Sequence, residues 1–224
     1  MPAYEFLGEL VTLLIAVPRR PRPARLRIQP AGDDDLPAML HLLNQHGQRH
    51  QLATVWTEER LRSLAAHGLP LDSFLIVREG ETIVACGALW DQRAFRQTVV
   101  QGYTGALGVA RPLIDGANRM FGRPSLPVPG AVLAQAFLSP LALAEGAESL
   151  LPEFVAAFLP RAAASGVEWL TLALPAGDSR LPLLRQKFFT RAWPSRLYCV
   201  SWPGQPAFQS VSPEKQFLPE VALL

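Results

Sequence analysis

Residues 4–17 read Tyr-Glu-Phe-Leu-Gly-Glu-Leu-Val-Thr-Leu-Leu-Ile-Ala-Val. On a helical projection Tyr4, Leu7, Val11 and Leu14 share one face, while Glu5, Glu9, Thr12 and Ala16 share the opposite one. The pattern predicts an amphipathic helix ended by Pro18, docked on this protein or on a second copy of it. A membrane surface is the alternative: the acidic polar face argues against it, and Arg19, Arg20 and Arg22 argue for it. The apolar run is shorter than the roughly twenty residues a bilayer span needs. Its acids precede its arginines, the reverse of a secretory signal. Residues 1–23 are therefore expected to form an arm and a proline-stiffened linker.

Further along, residues 24–31 alternate like a short strand. Asp33–Asp35 offer helix caps before Pro37 and the apolar series Leu36, Met39, Leu40 and Leu43. A second helix is expected after Thr57, through Leu61 and Leu64. Residues 73–79 and 82–92 read as a β-hairpin turning near Gly80, with the strand resuming at 96–103. A Gly- and Pro-rich insertion at 103–130 follows, holding one helix near 109–121 and arching over one end of the sheet. Then come a strand to Leu143 and a helix at 147–166 that Pro160 should kink or end. A near-continuous apolar strand follows at 167–175, as expected where both faces of a sheet are covered. A helix from Asp178 and a last strand at 195–202 complete the domain, 24–202. The tail, 203–224, ends in an apolar stretch that should pack on something.

Composition narrows the classes. The chain is 49% hydrophobic and 18% charged, which suits a globular fold with one sizeable core. A net charge of +2 without a dense basic cluster points away from nucleic acid. Cys86 and Cys199 lie far apart in strand-like stretches; two buried thiols in a reducing, cytoplasmic setting are expected, and neither a disulfide nor zinc. His41, His46 and His50 are read as surface residues, and Asp33–Asp35 as caps rather than a metal site. Trp90, Trp169 and Trp202 are expected in the core or along the sheet edge. No G-x-S-x-G elbow, Walker loop or H-E-x-x-H occurs.

The order of these elements, with "FLIVREGETIVACGAL", "FLSPLAL", "VEWLTLALPAGDSRLPLLRQKFF" and "RLYCVSW", resembles the GNAT acetyltransferase superfamily over about residues 24–202. The resemblance implies an α/β fold with a central twisted sheet flanked by helices. It implies acyl transfer from acetyl-CoA to a primary amine, on a small molecule or a protein. The pantetheine arm would lie along Leu141, Ala142 and Leu143, and the diphosphate on the turn holding Gly146, Ala147 and Ser149. That turn departs from the family's Q/R-x-x-G-x-G/A loop: Leu143 stands at the Q/R position and Glu148 at the final small residue. Losing two or three amide donors would cost on the order of 3–9 kcal/mol of cofactor binding, and Glu145 and Glu148 add negative charge. Arg111, Arg119 or Arg123 from the insertion could reach the phosphates instead. Glu145 and Tyr198 are the candidates for proton transfer, since Arg185 stands where the family often has a tyrosine. A non-catalytic binding module is the alternative, with a homodimer through the arm and tail.

Overall fold

A computed structural model describes residues 2–202, 212 and 214–223. Its strands are β1 (Ala3–Ala16), β2 (Gln29–Pro30), β3 (Phe74–Glu79), β4 (Thr82–Trp90), β5 (Gln135–Leu143), β6 (Trp169–Pro175) and β7 (Thr190–Ser201). Its helices are α1 (Leu36–Gln48), α2 (Glu58–Ser63), α3 (Gly105–Met120), α4 (Leu151–Ala164) and α5 (Arg180–Lys187). The strands form one sheet in the order β2-β3-β4-β5-β6-β1-β7. Every neighbouring pair is antiparallel except β5–β6.

Alternation along the strands splits the core between the two faces. On β3, Phe74 and Ile76 join α1 and α2 (Met39, Leu43, Leu61), while Leu75 and Val77 join α4 and α5 (Phe154, Phe158, Leu184). The chain is thus a three-layer α/β unit with the sheet in the middle. Among the described residues no helix is long and apolar enough to cross a membrane.

The expected N-terminal helix is a strand instead. Leu10–Ala16 pair with β6, and Ala3–Ile15 pair with β7 across a bulge at Phe6/Gly8. Val11, Leu13 and Ile15 alternate into the α4/α5 core. The reason is physical. Val11, Thr12 and Ile15 are β-branched and fit a pleated surface, whereas a lone short helix is marginal in water. Two strand partners satisfy the backbone and bury the apolar run together.

Smaller differences follow local rules. The strand expected at 24–31 shortens to Gln29–Pro30, and the one expected at 96–103 reduces to a single bridge, Val99↔Val132. The helix of the insertion begins at Gly105 and leaves Val109, Leu113 and Met120 exposed. Helix α4 continues past Pro160 to Ala164. Cys86 and Cys199 are free and buried, and burial pushes the Cys86 thiol up to about 12. Trp90 and Trp169 are buried, whereas Trp202 is exposed.

Candidate functional site

The site begins with an interruption in β5. Between the pairs Gly87↔Leu141 and Leu89↔Leu138, β4 advances two residues and β5 three, so β5 carries a bulge at Ser139–Pro140. The bond between those residues is cis. A bulge bends its strand, and proline has no N–H to offer a neighbour. Pairing of β5 with β6 accordingly covers only Gln135–Phe137 against Trp169–Thr171. Beyond that point the two parallel strands separate, and a cleft opens between their C-terminal halves.

Two elements close the cleft on the α1 side. One is α1, through Leu43 and His46; the other is the tail segment Leu218–Ala222. Gln51, after α1, fastens the tail. Its backbone bonds Gln216 and Leu218, and its side chain bonds Ser212 and Lys215. Deeper in, the Ser139 hydroxyl donates to Glu220 Oε1 at 2.6 Å, and Gln92 Nε2 donates to the Ala222 carbonyl at 2.9 Å. A cavity of about 60 Å³ remains, room for a few waters or a few heavy atoms. Burial pushes the Glu220 carboxyl up, against the opposing bonds from the Ser139 hydroxyl and the Ala222 amide.

A polar cluster sits at the mouth of the cleft, where β5 and β6 end. Arg49 donates from Nη2 to His46 Nδ1 at 2.6 Å and to the Leu143 carbonyl at 2.8 Å. Since Nδ1 accepts, the neutral ring carries its hydrogen on Nε2. Burial, with Arg180, Arg49 and His50 nearby, holds His46 down at about 3. The expectation of surface histidines is thus corrected for His46, which is buried on the inner face of α1. The side chains of Arg180 and Asp178 are both largely shielded from solvent and form a bidentate pair. Burial acts to raise the Asp178 carboxyl, but the hydrogen bonds and charge of Arg180, with the charge of His50, together outweigh it and hold the carboxyl below its ordinary value. These groups line a second pocket of about 280 Å³, where Arg49 and Glu148 (3.6 Å) and Arg180 and Asp178 balance in charge.

The His46 environment sets a pH dependence. Its proton affinity is lower folded than unfolded, so the unfolded state binds more protons between about 3 and 6.5. Its contribution to stability is therefore present above 6.5 and lost as the pH falls through that window. His46→Gln, which can still accept from Arg49, is expected to shift the acid-unfolding midpoint to lower pH. Circular dichroism across an acid titration checks this; an unchanged midpoint would remove His46 as a cause.

The residues expected from the sequence are only partly brought together. Leu141, Ala142 and Leu143 lie on β5 beside the cleft, with Ala142 packed toward α1 and Leu143 toward α4. Gly146 has a positive φ (+82°), with open space where a Cβ would stand. Glu145 and Ser149 are exposed on the same turn. Tyr198 is elsewhere: it lies on β7, separated from the cleft by β6 and β1, 48% exposed and edge-to-face with Phe6. Glu220 and Ser139 gave no signal in the sequence, because a carboxylate in a proline-punctuated tail reads as solvated. Among the described residues no group of three or more metal-ligating side chains gathers.

For a CoA thioester the fit is uneven. The β5 edge suits an extended arm, although Arg49 already uses the Leu143 carbonyl. On the turn two amides are engaged: Ala147 N–H bonds Ala144 O and Leu150 N–H bonds Ala147 O. Glu145 and Glu148 stand beside it.

No family model matches the chain, and no curated protein does. Solved structures do. A GCN5-related glucosamine N-acetyltransferase region of a fungal multi-domain GH3 β-N-acetylglucosaminidase is similar with a TM-score of 0.51 and 8% identity, over 88% of this chain and 21% of that one. An acetyltransferase of the GNAT family from Colwellia psychrerythraea has a TM-score of 0.48 and 8% identity, over 89% of this chain and 57% of that one. A GCN5-related N-acetyltransferase from Sphaerobacter thermophilus has 0.48 and 13%, over 96% and 56%. The chain therefore spans little more than half of the latter two and about a fifth of the first. The first likeness shows the fold, which is that of the GNAT acetyltransferases.

Proposed function

We propose that the chain is an N-acyltransferase that moves an acetyl or other acyl group from acyl-CoA to a primary amine. The observation that carries this is the separation of β5 from β6 after Phe137 and Thr171. It opens the parallel β5–β6 pair of the sheet at the carboxyl ends of these two strands, where ligands of α/β sheets bind. Acyl-CoA, when bound, supplies an activated thioester carbonyl. The β5 edge at Leu141–Leu143 would hold the extended arm by main-chain hydrogen bonds. Arg49 stands at the mouth and would meet a phosphate only by exchanging its present contact with Glu148. The tail and α1 cover the cleft on one side and limit the water that could compete with the amine. Catalysis would then rest on holding amine and carbonyl together rather than on a covalent intermediate.

Calorimetric titration of acetyl-CoA into the full chain tests the reading. Saturable micromolar binding is expected, with release of free thiol once a primary amine is added. No heat of binding up to millimolar acetyl-CoA would overturn it and leave the fold as a non-catalytic module.

A further inference from the structure

The carboxyl of Glu220 lines the cavity between β5, α1 and the tail, partly buried and bonded to Ser139, and among the described residues no cation pairs with it. A carboxylate removed from water needs a positive partner or keeps its proton. The charged and titratable groups that face the cleft are otherwise engaged. Arg180 is committed to Asp178, and Arg49 to Glu148, His46 and the Leu143 carbonyl. Arg96 points to the Ala222 carbonyl at 3.4 Å, and His46 is neutral. Beside Glu220 lies the cavity of about 60 Å³, walled by Leu43, Trp56, Leu138 and Leu174 and polar at His46, Thr54, Ser139, Thr171, Glu220 and Arg180, whose charge Asp178 balances.

We infer that this cavity is a site for a small primary ammonium, with the tail supplying both one wall and, through Glu220, the counter-charge. The inference rests on the acyltransferase reading, since it names the size and charge of the acceptor. Binding follows a balanced exchange. The ammonium R–NH3+ enters, the Glu220 carboxyl gives its proton to solvent, and the carboxylate and ammonium pair. Ser139 keeps its hydrogen bond to Oε1 and fixes the carboxylate plane. The apolar walls limit R to a few carbons, so polyamines and lysine side chains on folded proteins are excluded by length.

Methylamine hydrochloride titrated into the full chain near pH 6.5 tests the site without acyl transfer. Saturable binding is expected, with net proton release, read from the dependence of the heat on the buffer's ionisation enthalpy. Glu220→Gln keeps the shape and the Ser139 contact. It is expected to weaken methylamine at least tenfold, to abolish proton release, and to keep a thermal midpoint within a few degrees of the parent. Hexylamine should bind at least tenfold more weakly than methylamine. Equal methylamine affinity in Glu220→Gln, or no saturable binding of methylamine to the parent, would overturn the inference. The two proposals separate cleanly. Amine binding without acetyl-CoA binding leaves this site standing and removes the transferase. Turnover whose amine KM is unmoved by Glu220→Gln does the reverse.

Discussion

Leu13→Asp is expected to abolish folding. Leu13 is fully buried on β1, paired with Leu172 on one side and Ala192 on the other, and its side chain enters the α4/α5 core. A carboxylate there has no partner and no water. Its cost exceeds the roughly 4–5 kcal/mol that marks exceptional substitutions, against a total stability of about 5–15 kcal/mol. Far-UV circular dichroism in urea should show loss of the cooperative transition. Tyr4→Asp, at an exposed position on the same strand, should stay within about 0.5 kcal/mol of the parent. If Leu13→Asp unfolds at the parental urea midpoint, residues 3–16 are not part of the sheet.

The second large effect is expected at Phe154. This side chain is fully buried on α4, meets Phe158 edge-to-face at 5.2 Å, and presses against Gly87 of β4. Phe154→Ala should cost about 3–5 kcal/mol, the transfer loss plus the cavity left behind. The contact with Gly87 allows a sharper check. A Cβ on Gly87 would stand 3.0 Å from Leu141 Cδ1, 3.2 Å from Phe154 and 3.2 Å from the Pro140 carbonyl. Gly87→Val alone should therefore cost about 1–3 kcal/mol by overpacking. Combined with Phe154→Ala, which removes one of those contacts, it should cost less than the two single losses added. Strict additivity in urea denaturation would show that the helix does not press on β4 at this point.

The sequence made most of the sheet legible because most of its strands announce themselves locally. The β3–β4 hairpin has two strand-like runs around Gly80, and β6 is a continuous apolar run bracketed by turns. Helix α4 is long and apolar enough to be seen through its prolines. The first strand was hidden for a specific reason. Residues 10–17 are apolar at nearly every position, and such a run fits a period of 3.6 as easily as a period of 2. Only the presence of β6 and β7 on its two sides decides between them. The site was legible to the extent that it is backbone: β5, its end and the following turn. Its side chains were not. His46 looks like a surface residue until α1 is laid on β5, and Glu220 acquires meaning only when the tail is folded over the bulge.

The position of β1 also bears on how the molecule is assembled. Its two partners lie at residues 169–175 and 190–201, so neither exists when β1 leaves the ribosome. Until they are made, Leu-Val-Thr-Leu-Leu-Ile-Ala is a sticky ribbon with both hydrogen-bonding edges bare, open to self-association or to capture by a chaperone. Such distant pairings slow folding, because a very long loop must close before any reward is gained. Expression yield should therefore depend on temperature and chaperone supply more than the stability of the finished domain would suggest.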